Sequence, residues 1–277
     1  MSNRNNAQNK QAARERLRAE RERQAKKDKT RRQLMVAGSL VVVLAVAGGV
    51  AYAVTQMNKT EDGPWKAAAS KPLVKPAGTS GKDGTELVIG DKNAKETLTV
   101  YEDPRCPICS VFEQNSGQKL RQDVKEGRYK VRYVLASFID DNPAAKGTGS
   151  RNAVSALGAA FDVSPEAFAD YKEALFSKRN HPEETDDAFA DDKKLLDIAQ
   201  QVPALKNNKD FEKNVKDGTF DRWALEIGKL MGKDGVKGTP ALMHNKKQLT
   251  VPGTENPPIM EQQFNATIDA EFGAKKK

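Results

Sequence analysis

The chain has 277 residues and a formal net charge of +8, from 46 basic and 38 acidic side chains. Residues 1–33 hold twelve Lys/Arg and four Asp/Glu, so the whole surplus sits in that tail and the remainder is neutral. Charge therefore gives no support to a nucleic-acid-binding surface on the folded part. The 38% hydrophobic content excludes a wholly disordered chain, and two cysteines are too few for a disulfide scaffold or a closed four-cysteine zinc site.

The tail, 1–33, reads as cytoplasmic. Gln11 to Ala25 are good helix formers without an apolar face. A solvated charged segment that orients the chain and touches the anionic lipids of the membrane fits that composition. Leu34 to Val54 follows, 21 residues without a charge, in which only Ser39 and Tyr52 carry polar side-chain groups. At about 1.5 Å per residue it spans a hydrocarbon core of about 30 Å, which predicts a transmembrane helix. The basic residues before it and the lone Lys59 closely after it place the N-terminus inside and the rest outside, as a single-pass membrane protein. Two export readings stand beside the uncleaved anchor. Ala51-Tyr52-Ala53 has the form of a signal cleavage site, although the apolar run exceeds the roughly 7–15 residues of a signal peptide. Thr30 to Met35 resembles a twin-arginine signal. All three readings put the remainder outside the cytoplasm.

Residues 55–84, with Pro64, Pro72, Pro76 and several glycines, read as a linker in which Trp65 is a candidate for the membrane interface. From 85 to 277 the pattern is globular. Glu86–Gly90, Thr97–Tyr101 and Lys130–Ala136 predict strands, and Asp140–Ser150 predicts a loop. Val154, Leu157 and Phe161 fall on one helical face. Ser164-Pro165-Glu166 predicts a helix start with Ser as cap, followed by the stripe Phe168, Tyr171, Leu175 and Phe176. Further helices are marked by Leu195, Leu196 and Ile198, by Phe211 and Val215, and by Trp223, Ile227 and Leu230. Two short strands, Ala241–Met243 and Gln248–Val251, flank a turn at Asn245-Lys246-Lys247. Ile259–Phe272 reads as the closing helix. The stripes read as packing surfaces.

The only cysteines stand in Cys106-Pro107-Ile108-Cys109, directly after the best strand and at the start of a predicted helix. Free N–H groups and the helix dipole stabilise a thiolate there. The spacing puts both sulfurs on one side of the helix, where one can attack a disulfide and the other resolve it. No metal site is expected, since His181 and His244 are distant in sequence and read as surface or loop residues. A structural disulfide closing so small a loop removes little chain entropy. The second motif is Gly238-Thr239-Pro240-Ala241-Leu242, between a helix and a strand.

With Tyr101-Glu-Asp-Pro-Arg-Cys-Pro-Ile-Cys-Ser, the Gly238–Leu242 segment, the turn at Asn245 and Val251-Pro252-Gly253, the sequence resembles DsbA-like thiol-disulfide oxidoreductases of the thioredoxin superfamily over about residues 86–272. The resemblance implies an α/β thioredoxin-like fold with a helical subdomain inserted at about 150–204, and the apolar run at 34–54 puts one N-terminal transmembrane helix ahead of it. The 131 positions between Cys109 and Pro240 leave room for it. It further implies that Cys106 attacks and Cys109 resolves, that Pro107 and Ile108 tune redox poise, and that Gly238, Thr239 and a cis Pro240 form the substrate-facing loop. No cofactor is implied beyond the redox-active Cys106–Cys109 pair. The implied partners are unfolded secreted proteins and a quinone-linked membrane re-oxidant of the DsbB or VKOR kind. The implied activity is disulfide donation outside the cytoplasm. A reductase or isomerase on the same scaffold, or a non-catalytic adaptor domain, remain the alternatives. The resemblance also implies a buried carboxylate six positions before the first cysteine, where Val100 stands. Glu102 and Asp103 lie nearby and read as differing in phase.

Overall fold

The β-branched alternation of Thr97 to Glu102 forms the central strand of the molecule, and the rest of the sheet is built outward from it. The computed structural model describes residues 64–274. The basic tail and the span expected at 34–54 lie outside the described residues, and among those described no helix is long and apolar enough to cross a membrane. The strands are β1 (Leu87–Ile89), β2 (Thr97–Glu102), β3 (Lys130–Leu135), β4 (Ala241–His244) and β5 (Lys247–Leu249), in spatial order β1-β3-β2-β4-β5. Only β2 and β3 run parallel; β1 on β3, β4 on β2 and β5 on β4 are antiparallel. Positive φ at Asn245 and Lys246 (49° and 67°) makes the tight turn between β4 and β5.

A long helical run joins β2 to β3: α2 (Pro107–Phe112), a π-helical turn (Glu113–Gly117) and α3 (Gln118–Lys125). Between β3 and β4 come α4 (Gly149–Val163), α5 (Pro165–Phe176), α6 (Asp192–Ala199), α7 (Lys209–Lys216) and α8 (Asp221–Lys233), and α9 (Glu261–Phe272) closes the chain. Ser164 caps α5 as its sequence predicts, its side chain accepting from the Ala167 N–H at 2.9 Å. The core stripes meet as aromatic pairs. Tyr133 of β3 packs on Phe168 of α5 at 5.4 Å, and Phe112 of α2 on Phe264 of α9 at 6.0 Å. Trp223 of α8 is fully buried, and α4 admits it only because Gly158 lacks a side chain: a Cβ there would stand 2.7 Å from the indole ring.

The stretch read as a linker is folded from Pro64 onward. It carries α1 (Pro64–Ser70), buries Ala68, and packs Leu73 on the core. Trp65, read as a membrane-interface residue, packs against that core as well. The Ala77 N–H reaches Asp162 at the end of α4, and the Trp223 indole donates to the Gly84 carbonyl at 2.7 Å. Prolines and glycines here make a strap of turns that sequence periodicity does not distinguish from a free linker. The loop expected over 140–150 is shorter, because a 3₁₀ turn covers Phe138–Asp141 and α4 begins at Gly149. The closing helix begins two residues later than Ile259, where the Met260 N–H donates to Gln263.

His244, read as a surface or loop residue, ends β4 as a bridge. Its Nδ1 lies 2.7 Å from Glu271 of α9 and its Nε2 lies 2.8 Å from Glu96 ahead of β2. Both ring nitrogens donate only when the ring is charged. Partial burial works to lower its pKa; the hydrogen bonds it donates to Glu271 and Glu96 outweigh this and hold the value above that of an ordinary histidine. The bridge therefore stabilises the fold fully below the unfolded pKa of about 6.5 and loses that contribution as pH rises through the raised folded value. In the variant His244→Gln, the rise in melting temperature between about pH 8 and about pH 6 will be smaller than in the parent protein, as read by thermal denaturation at both pH values.

Candidate active site

β2 ends at Glu102, and the chain turns sharply so that the Cys106 N–H donates to the Asp103 carbonyl at 2.9 Å. Pro107, with no N–H to waste, opens α2. Cys106 is the extended N-cap residue, and its side chain makes no capping bond. Its sulfur instead faces the second motif: Cys106 Sγ donates to the Thr239 carbonyl at 3.5 Å, and the Thr239–Pro240 peptide bond is cis. The sheet makes this meeting inevitable, because β2 and β4 pair with Tyr101 opposite Ala241, one residue past Pro240. Cys109 lies one turn behind Cys106, fully buried, and both cysteines are free thiols. Pro107, Ile108 and Gly238 are half-buried around them, while Thr239 and Pro240 are buried. The predicted site residues thus converge on one place. Among the described residues no group of three or more His, Cys, Asp or Glu side chains is arranged to hold a metal ion.

A buried charge cluster that sequence reasoning did not assign joins the central strand, the π-helical turn after the active-site helix and α5. Lys172 of α5 is buried, with Nζ 2.9 Å from Glu102 and 2.6 Å from Glu113. Its ammonium also sits 4.8 Å from the centre of the Tyr133 ring and 5.3 Å from that of Phe176. The π-helical turn widens the helix where Glu113 points inward. Gly117 makes room for that carboxylate, since a Cβ there would lie 2.6 Å from it. The expectation about phase is corrected here. Glu102 stands two residues after Val100 in the same strand, so the two share a face. The strand's own period of two was the signal for it.

The electrostatics follow from burial. Burial pushes the Glu102 carboxyl up to about 7 against the pull of Lys172, and Glu113 adds to the rise. Burial by itself works to lower the Lys172 pKa, but Glu102 and Glu113 hold its proton on and raise it. Cys109 is raised well above an ordinary thiol, first by burial, then by the bond and charge of Cys106 and the charge of Glu102; the Thr239 hydroxyl opposes the rise. A carboxyl whose pKa burial raises to about 7 thus acts electrostatically on a thiol that resists ionisation. That is an arrangement able to hand a proton to the leaving sulfur of a disulfide and take it back.

The active-site helix is also tied to the end of α5. Ser110 Oγ and Gln114 Nε2 both donate to the Phe176 carbonyl, at 2.7 and 2.9 Å. His181 follows that end. Its ring stacks on Phe176 at 5.8 Å and stands edge-on to Phe189 at 6.2 Å, and burial lowers its pKa to about 4. It lies in the loop after α5, as its sequence context predicts, with its ring packed and neutral at pH 7. Removing Lys172 leaves two carboxylates facing each other without water. Lys172→Met will cost about 3–5 kcal/mol of stability near pH 7, measured by urea denaturation. The loss will shrink toward about pH 5, because the Glu102 carboxyl, raised by burial, is protonated there.

Comparison with known proteins places this geometry. The family described as thioredoxin matches residues 82–270. The serine/threonine-protein kinase PknE of Mycobacterium tuberculosis is 26% identical over 185 residues, covering 64% of this chain and 32% of its own. The chain therefore spans about a third of that relative's length. Disulfide bond formation protein D of Bacillus subtilis is 27% identical over 191 residues, covering 69% of this chain and 77% of its own. Among solved structures, the reduced disulfide bond oxidoreductase DsbG of Mycobacterium tuberculosis superposes with a TM-score of 0.55 at 22% identity, over 68% of this chain and 87% of that one. That likeness is one of fold, a thioredoxin-like sheet carrying inserted helices. With the family's signature covering the sheet, the cysteine pair and the cis-proline loop alike, this chain belongs to the thioredoxin family.

Proposed function

We propose that the protein is a membrane-anchored thiol:disulfide oxidoreductase that works outside the cytoplasm and donates the Cys106–Cys109 disulfide to secreted proteins. The observation that carries this reading is the 3.5 Å contact between Cys106 Sγ and the Thr239 carbonyl of the cis-proline loop, with Cys109 buried one turn behind. In the oxidised enzyme a substrate thiolate attacks the Cys106 sulfur. An S–S bond forms between substrate and Cys106, the Cys106–Cys109 bond breaks, and Cys109 leaves with the electron pair. Its raised pKa makes it take up a proton, for which Glu102 is the nearby source. A second substrate thiolate then attacks the substrate sulfur of the mixed disulfide and releases Cys106 as a thiolate. The substrate leaves oxidised, and the enzyme is left as a dithiol. Pro240 offers no N–H, so an extended substrate chain meets the backbone of Thr239 at the edge of the site.

The likeness to disulfide bond formation protein D supports this chemistry. The charge asymmetry about Leu34–Val54 supports an anchored enzyme facing outward, where conditions are oxidising. Re-oxidation then falls to a quinone-linked membrane partner of the DsbB or VKOR kind, and the substrates are unfolded secreted chains. The test is the reduction potential of the detergent-solubilised full chain, equilibrated with glutathione. A value toward about −120 mV is expected. A value near about −270 mV overturns the donor role in favour of a reductase or isomerase. Cys106→Ser will abolish oxidative refolding of a reduced ribonuclease. A parent protein that also fails to refold it would leave only the adaptor alternative.

A further inference from the structure

Arg105, the residue before Cys106, has no exposed side-chain area. An arginine in such a place is costly to desolvate unless its donors find partners. Its two terminal nitrogens find them in groups from two distant segments, while the buried Nε has none. One terminal nitrogen lies 2.9 Å from Asp140 and 3.0 Å from Asp187, and the other donates to the carbonyls of Ala145 and Glu184 at 2.8 Å each. Asp140 and Ala145 follow β3; Glu184 and Asp187 lie in the loop between α5 and α6.

The same two carboxylates hold the start of α4. Asp187 accepts from the N–H groups of Thr148 and Gly149, at 2.9 and 2.8 Å. Asp140 accepts from those of Ser150 and Arg151, each at 2.9 Å. These are the donors that a helix N-terminus leaves without partners of its own. Space around them is closed. A Cβ on Gly147 or Gly149 would stand 2.3 or 2.7 Å from the Asp187 carboxylate. Asp103, three residues before Cys106, completes the clasp by accepting from the Arg105 N–H, the Ser150 hydroxyl and the Ile139 N–H.

We infer that Arg105 is a positioning residue for disulfide exchange: it fastens the loop that presents Cys106 to the inserted helices through Asp140 and Asp187, and the reactivity of Cys106 depends on that fastening. The inference rests on the oxidoreductase reading above. A planar fork can reach four acceptors at once, and an ammonium cannot. Its charge is a poor alternative explanation, because the guanidinium faces two carboxylates, with Asp103 close by. Any field it offers the Cys106 sulfur is met by theirs.

The two explanations separate in the variant Asp187→Asn. Asp187 is about a third exposed on its side chain, so this change is mild for folding. If charge acted alone, removing a negative group would favour the Cys106 thiolate and make the enzyme a stronger oxidant. If positioning acts, it will weaken the enzyme in the same direction as Arg105→Met. The experiment takes the full chain in detergent and measures the rate of reduction by glutathione and the glutathione equilibrium constant. It uses the parent protein, Arg105→Met, Arg105→Lys and Asp187→Asn, each checked for folding by circular dichroism. All three variants are expected to react about tenfold more slowly, short of the roughly hundredfold that a 1 Å misplacement costs. All three are also expected to shift the equilibrium constant the same way. Recovery of parental values by Arg105→Lys, opposite shifts in Arg105→Met and Asp187→Asn, or parental behaviour in every variant would each overturn the inference. Should Arg105→Met not fold, Asp187→Asn alone decides between the signs. A parent protein inert toward glutathione would overturn the oxidoreductase reading itself, and that outcome is visible before any variant is compared.

Discussion

Lys172 carries its charge in a place that water hardly reaches, and the architecture around the cysteines answers to that fact. An ammonium there is tolerable only while both Glu102 and Glu113 stay within hydrogen-bond distance. Glu102 is the last residue of the central strand, Glu113 the first of the π-helical turn, and Lys172 belongs to an inserted helix. Three elements from three parts of the chain are therefore held in one phase. A slide of any of them by one residue would strand a charge in the core. The same trio leaves Glu102 able to hold a proton near neutrality, and its charge bears on the buried Cys109 thiol. The constraint that fixes the packing also supplies the chemistry.

Arg105 repeats the pattern one layer away, with Asp140 and Asp187 as its carboxylates. Apolar contacts between sheet and insertion, such as Tyr133 on Phe168, contribute more to net stability than a buried ion pair does over an apolar substitute. They are also forgiving, since greasy side chains repack at small cost. Buried cations are not forgiving, because each unpaired one costs several kcal/mol. Fastening the insertion at two charged points gives it one orientation over the cysteine loop. The prominence of charged side chains among the fully buried residues, Arg105 and Lys172 included, follows from this division of labour.

Much of the frame was legible because it is written in local periodicity. Thr97–Glu102 alternates, Ser164-Pro165 opens α5, and CPIC stands where a strand gives way to a helix; none of these needs a distant partner to be read. Glu102 is legible from the strand's period of two, which puts it on the face of Val100, although spacing from the cysteine alone makes it read as out of phase. Lys172 and Arg105 were not legible at all. A lysine or arginine in sequence looks solvated, and burial is decided by carboxylates 70 and 35 positions away. The strap over 64–84 failed for a related reason: its prolines and glycines describe turns equally well whether or not Trp223 waits to bond Gly84. His244 looked peripheral because its partners, Glu96 and Glu271, come from opposite ends of the fold.

The neutral balance of the chain beyond residue 33 takes on a local meaning at the cysteines. Two buried cations in this region are paired internally, Lys172 with two glutamates and Arg105 with two aspartates. Neither is left to project a field that would favour acidic or basic partners. What lines the site beside the sulfur is backbone rather than charge: the Thr239 carbonyl, the cis proline after it, and the start of the active-site helix. Backbone recognition of an extended chain draws its affinity from main-chain groups that every substrate possesses. On the proposed disulfide-donor reading, a site whose charges are paired internally accepts many sequences, and its selectivity comes from which chains still carry reactive thiols.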